Sequence, residues 1–138
     1  MIDNVANERI SGNKETHYRW IDYVAGTGRY RWLFGNGDNW INSTTQGWTL
    51  PVGECFYLAY VVDWENGWAK VYLDTIEKSS ITFAAGAVAG NTNNLYIGSF
   101  SPTEYLWLGK HGEVRIYNRA LSPQEILDHY IIGKEMFG

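Results

Sequence analysis

The chain has 138 residues, enough for one domain around one hydrophobic core. Hydrophobic residues make up 45% and charged residues 19%, which excludes a disordered chain. The net charge is −4 and the 11 basic residues are scattered, which argues against nucleic acid as a partner, because a phosphate backbone needs clustered Lys and Arg.

Residues 1–16 are polar and aperiodic and read as an N-terminal arm or one short edge strand, with no apolar stretch of a signal peptide. From His17 to the end the chain reads as one domain, residues 17–138. "HYRWIDYV" alternates, with Tyr18, Trp20, Asp22 and Val24 on one face. "AGTG" is a turn and "RYRWLF" a second strand, so the pair forms a hairpin. "GNGDNWINSTTQGW" is dense in turn formers and reads as a loop with a short strand inside. It carries the sequon Asn42-Ser43-Thr44, a triplet common by chance.

In "FYLAYVVDWENGWAKVYLD", Asn66-Gly67 lies between two alternating runs and predicts a two-residue hairpin turn. That register sets Glu65 against Trp68, Asp63 against Lys70 and Val61 against Tyr72. The other face carries Phe56, Leu58, Tyr60, Val62 and Trp64 with Ala69, Val71 and Leu73. It is wholly apolar and is predicted to be core. The single cysteine, Cys55, reads as a buried small hydrophobe.

"SSITFAAGAVAG", "NTNNLYIGSF" and "EYLWLGKHGEVRIYN" supply further strands, with Val114 and Ile116 facing inward. Ser122, Pro123 and Glu125 then form a capped helix start. Ile126, Leu127, Tyr130 and Ile131 make an apolar stripe, and Gly133 suits a C-terminal stop after about ten residues. No apolar run approaches membrane-spanning length, so no membrane insertion is expected. Short strands without βαβ alternation, closed by one short helix, predict an all-β antiparallel β-sandwich or jelly roll.

The closing motif resembles the C-terminal signature of the laminin G-like branch of the concanavalin A-like lectin/glucanase jelly rolls. It runs Gly109, then "GEVRIYNRALS" (112–122), then Glu125-Ile126. "VYLD" (71–74) and "LYIGSF" (95–100) resemble two upstream elements of that family in order and spacing. Thr75 stands where the family has glycine, and His111-Gly112 where it commonly has Ile-Asp. Such domains usually begin with strands ahead of the region matching His17. That departure leaves two readings, a shortened jelly roll lacking the usual first strands or sheets completed by a second chain, and the second motivates the expectation of a homo-oligomer.

The resemblance bears on catalysis, calcium and carbohydrate binding. The superfamily's glucanases carry alternating carboxylates on one strand, and Asp63-Trp64-Glu65 is the nearest counterpart here. Residues two apart on a strand lie roughly 6.5–7 Å apart on one face, near glycosidase separations. The third carboxylate of the enzyme motif is absent, and a cross-strand pair of Asp63 with Lys70 accounts for the acid. Relatives often bind calcium, for which Asp38, Asn36 and Asn39 offer hard oxygen donors, although a tight turn uses the same residues.

For carbohydrate binding, aromatic residues make up 16% of the chain, chiefly as core and cross-strand pairs. The candidates for a sugar-stacking platform are Trp40, Trp48, Trp68, Tyr72, Tyr105 and Trp107, with Trp64 expected to be buried. Of the histidines, His129 is expected to face solvent, and no metal spacing joins it to His17 or His111. The expectation is a non-catalytic module that meets a glycan or glycoprotein surface, extracellular or on a cell or virion surface. The alternatives are a structural or assembly module without a small ligand, and a divergent glycoside hydrolase.

Overall fold

The computed structural model describes residues 19–24, 29–35, 40–45, 47–51, 53–86 and 110–138, the first three segments by backbone alone. The chain divides into two compact units. One comprises Asn4–Leu50 and Ala87–Gly109; the other comprises Met1–Asp3, Pro51–Gly86 and Lys110–Gly138. Among the described residues, two three-stranded antiparallel sheets and one C-terminal helix make the chain predominantly β.

The first unit holds β1 (Arg19–Val24), β2 (Arg29–Gly35) and β3 (Trp40–Thr45) in that order. β1 and β2 pair with Val24 opposite Arg29 and Arg19 opposite Phe34, which is the hairpin the alternation predicts. β3 is the short strand inside the turn-rich segment, and it carries Asn42 opposite Phe34. An irregularity at Phe34/Gly35 shifts that ladder near its glycine end.

The second unit is built on β4 (Leu58–Asp63), β5 (Trp68–Leu73) and β6 (Ile76–Thr82), again consecutive. Asp63 pairs with Trp68, Val61 with Lys70 and Ala59 with Tyr72. The predicted register is therefore off by two. The connection is the four residues 64–67 and not a two-residue turn, because Asp63 organises it. Its Oδ1 accepts from the Asn66 backbone N–H at 2.9 Å, its Oδ2 from Asn66 Nδ2 at 2.8 Å, and its carbonyl from Gly67 N–H at 2.9 Å. A shift of two preserves the side-chain parity of a strand, so the predicted faces survive. Of the predicted core face, Phe56, Leu58, Ala69, Val71 and Leu73 are buried, with Ala69 and Val71 at 0% exposure, while Tyr60 and Val62 are only half-buried. Trp64 lies in the loop and not on the core face. It is half-buried, edge-on to Phe83 at 5.2 Å.

β5 and β6 join through Asp74-Thr75, with φ of 49° and 77°. Positive φ at both central residues suits the right-handed twist of a tight hairpin, and it is the geometry that favours Asn-Gly or Asp-Gly. Thr75 adopts it without being glycine. Asp74 anchors the turn: its Oδ1 accepts from Tyr57 N–H at 2.7 Å and its own N–H donates to the Tyr57 carbonyl at 2.9 Å.

The helix α1 (Pro123–Phe137) starts as its sequence predicts. Ser122 Oγ accepts from Glu125 N–H, and the Glu125 carboxylate accepts from Ser122 N–H at 2.9 Å. Arg119 forks onto the same carboxylate. These bonds, the Arg119 guanidinium first, pull the Glu125 carboxyl down to about 2. The helix then runs through Gly133 to Phe137 and is capped at Gly138, whose N–H donates to the Lys134 carbonyl at 2.9 Å. One internal glycine costs only about 1 kcal/mol, too little to stop a helix that is capped further on.

Of the predicted apolar stripe, Ile126 alone is buried, at 0% exposure. It packs with Ala59, Val61 and Tyr72, with Tyr57, Trp68, Ala120 and Leu121 around them. Leu127 and Ile131 are exposed, and so are Ile132 and Met136. Among the described residues the segment 110–117 joins no β ladder, and Ile116 is 70% exposed while Val114 is half-buried. The inward strand read into "EVRIY" is not formed, although its alternation is regular. Cys55 is exposed beside the buried Phe56, so it is not the core residue predicted.

Candidate functional site

The β4–β5–β6 sheet has one face on which the helix docks. In strand order that face carries Ala59, Val61 and Asp63, then Trp68, Lys70 and Tyr72, then Glu77, Ser80 and Thr82. Ile126 covers the Ala59–Val61–Tyr72 end. Toward the 64–67 loop the face is open, and there Trp68 is half-buried with Asp63 and Thr82 opposite it.

A bulge sets the chemistry of this open end. The β5–β6 ladder shifts between Val71 and Tyr72, so Lys78 is passed over and Glu77 pairs with Tyr72. A regular ladder would place Lys78 there, a like charge beside Lys70. With the bulge, Glu77 Oε2 accepts from Lys70 Nζ at 2.7 Å. The same Nζ stands over the Trp68 ring at 5.7 Å. The carboxylate holds the Lys70 ammonium above its ordinary value. Burial raises the Tyr72 phenol, whose neighbours are Lys70 and Glu77. The predicted Asp63–Lys70 pair does not form. Lys70 takes Glu77, and Asp63 takes Asn66.

The open end thus joins an aromatic ring to a donor, Lys70, and an acceptor, Glu77, in hydrogen-bond contact. Adjacent sugar hydroxyls need that combination: apolar C–H faces for the ring, and one group that donates beside one that accepts. Side-chain exposure of 32% for Lys70 and 40% for Glu77 leaves both reachable. Sequence reasoning finds Trp68 through its place near the hairpin tip. It misses Lys70 and Glu77 as partners, because the bulge leaves no mark in the composition of the strand.

The other expected platform residues divide. Tyr72 is 6% exposed under the helix, which leaves its ring little surface for a ligand. Trp48 is half-buried. The side chain of Trp40, and Tyr105 and Trp107 altogether, lie outside the described residues, as do Asn36, Asp38 and Asn39. Among the described residues no group of three His, Cys, Asp or Glu is placed to hold a metal ion.

The two carboxylates weighed for catalysis do not share a strand face. Asp63 ends β4, and exposed Glu65 lies in the loop. Both Asp63 oxygens accept from Asn66, whose side-chain amide foremost holds the Asp63 carboxyl below its ordinary range.

A second cluster fastens the 113–117 segment to the helix. The Tyr117 and His129 rings stack at 5.5 Å and 16°, with Oη and Nε2 3.2 Å apart. His129, expected to face solvent, is half-buried against Tyr117. Glu113 accepts from Arg115 at 2.6 Å. Where Cys55, Tyr57, Asp74, Tyr130 and Lys134 meet there is a dimple of about 10 Å³, room for roughly one water.

Comparison with known proteins decides the family. A laminin G-like family model, described as "Concanavalin A-like lectin/glucanases superfamily", matches residues 2–127. The chain belongs to that superfamily. The match of this laminin G-like domain takes in most of residues 1–16, the stretch read as an arm. A 2.1 Å crystal structure of an S-layer domain-containing protein (residues 221–444) from Clostridium thermocellum resembles the domain with a TM-score of 0.44 and 17% identity. The likeness covers 94% of this chain and 65% of that one, so the chain spans less than two thirds of that structure. No curated protein matches it. Among the described residues no helix is long and apolar enough to cross a membrane.

Proposed function

We propose that this laminin G-like domain is a non-catalytic carbohydrate-binding or adhesion module, folded as the jelly-roll sandwich of its superfamily and working at a glycan or glycoprotein surface outside the cell or on a cell or virion surface. The observation that carries the reading is the half-buried Trp68 beside the Lys70–Glu77 pair, on the part of the sheet face the helix leaves open. The placement of Asp63 at the end of β4 and of Glu65 in the loop, off a common strand face, supports a non-catalytic role, since a glycosidase pair needs two carboxyls facing one bond. A glycan array, run with and without calcium to include the loop donors Asn36, Asp38 and Asn39, tests it. Binding should appear, and it should weaken roughly tenfold or more in Trp68→Ala. Lys70→Met and Glu77→Gln should weaken it while the fold stays intact. An array with no binder under either condition rejects the reading.

A second reading, an assembly module without small ligand, draws on the exposed Ile116, Leu127, Ile131, Ile132 and Met136. Large exposed apolar side chains suit a contact with further copies of the chain. A monomeric mass by light scattering would count against it.

A further inference from the structure

Asn66-Gly67 is a dipeptide with intrinsic covalent reactivity, and here the fold grips both of its reacting groups. In an Asn-Gly pair the glycine nitrogen meets no side chain on its approach to the asparagine carboxamide. It gives up its proton and attacks Asn66 Cγ. A C–N bond forms, the Cγ–Nδ2 bond breaks, and the nitrogen leaves as ammonia carrying that proton. Water then opens the cyclic imide on either side, giving aspartate or its backbone-inserted isomer, isoaspartate. No redox partner is needed.

In the closed loop each participant is occupied. Asn66 Nδ2 donates to Asp63 Oδ2 at 2.8 Å, the Asn66 backbone N–H donates to Asp63 Oδ1 at 2.9 Å, and the Gly67 N–H donates to the Asp63 carbonyl at 2.9 Å. The attacking nitrogen therefore points at one acceptor while the carboxamide is turned to another. We propose that Asn66-Gly67 is a latent deamidation site, that Asp63 keeps it unreactive while the loop is closed, and that each opening of the loop exposes it to an irreversible change.

The change cannot be undone by reclosure. An acid at position 66 loses the Nδ2 donor and sets a carboxylate against the Asp63 carboxylate. Isoaspartate also lengthens the backbone at position 66 by one carbon, which displaces the Gly67 N–H and carbonyl from the Asp63 carbonyl and the Phe83 N–H that hold the loop. Since Trp68 follows directly, the modification alters the open end of the sheet face. Deamidation would then record how often that end of the sheet has opened.

The full chain is incubated in mildly alkaline buffer, folded and urea-unfolded. Conversion at Asn66 is followed by tandem mass spectrometry, which separates it from the other Asn-Gly pair at Asn36. The folded chain should deamidate at Asn66 at least about tenfold more slowly than the unfolded chain, the equivalent of one or two hydrogen bonds. Asp63→Ala, shown to be folded by circular dichroism, should close most of that gap. Equal rates in folded and unfolded wild type would overturn the proposal, and so would a folded Asp63→Ala that reacts as slowly as wild type. Should Asp63→Ala not fold, the folded-to-unfolded comparison of the unaltered chain still decides.

Discussion

Between β4 and β5 the chain spends four residues; between β5 and β6 it spends two. The longer connection is held from outside itself. Phe83 N–H donates to the Gly67 carbonyl at 2.8 Å and Gly86 N–H to the Trp64 carbonyl at 2.7 Å, so the 83–86 segment straps the loop down. The shorter one is held by its own Asp74, which clasps Tyr57 at the entrance to β4. The longer loop has glycine where its φ is 71°; the shorter has threonine at 77°. A turn secured by distant backbone tolerates no added side chain. A turn secured by one aspartate carries a β-branched residue in a left-handed conformation and absorbs the strain.

The largest effect that separates the two is expected at the strapped loop. Gly67→Ala places a methyl 2.3 Å from the Phe83 carbonyl and 2.9 Å from the Ala85 nitrogen, both backbone atoms. It should destabilise the domain by about 3 kcal/mol or more in urea unfolding, as overpacking and a positive φ combine. A loss under about 1 kcal/mol would mean that the strap yields.

At the tight turn the sign reverses. Thr75→Gly should stabilise by about 1 kcal/mol, the relief of one non-glycine residue from the left-handed region less the added entropy of the unfolded chain. A lower melting temperature would show that Thr75 is not strained there.

The smallest effect is acid. The Asp63 carboxyl lies below its ordinary 3.8 in the folded state, chiefly because Asn66 donates to it. A lowered folded value contributes stability that is fully present above the unfolded value and is lost as pH falls through the folded one. Hydrogen exchange at the Asn66 amide should therefore lose protection as pH drops below about 4, after correction for intrinsic rates. In Asp63→Asn that dependence should vanish.

These two connections also explain what the sequence makes legible. Face assignment in β4 and β5 is readable because period-two alternation fixes parity, and parity survives a register error of two. The register itself is not, since Asn-Gly advertises a two-residue turn while Asp63, Phe83 and Gly86 impose a longer one. Asp74-Thr75 advertises little and forms the tight turn. The helix start is local, a matter of Ser122, Pro123 and Glu125, and is read correctly. The helix end depends on Gly138 and continues past Gly133. "EVRIY" alternates like a strand, yet a strand needs a ladder partner, which alternation does not specify. In the site, Trp68 is legible from its position. The withdrawal of Tyr72 beneath the helix and the meeting of Lys70 with Glu77 are tertiary consequences.

The bulge at Lys78 has a consequence for how copies of this domain can meet. Among the described residues β6 ends its sheet, and a straight terminal strand is a template for another chain. The passed-over residue breaks the row of backbone donors and acceptors on that strand, and the residue is a lysine. Two copies approaching along β6 would meet an interrupted ladder and bring like charges together. Where β6 is the rim of the sheet, the insertion that supplies Lys70 with its carboxylate would therefore also guard that rim against fibril-like stacking.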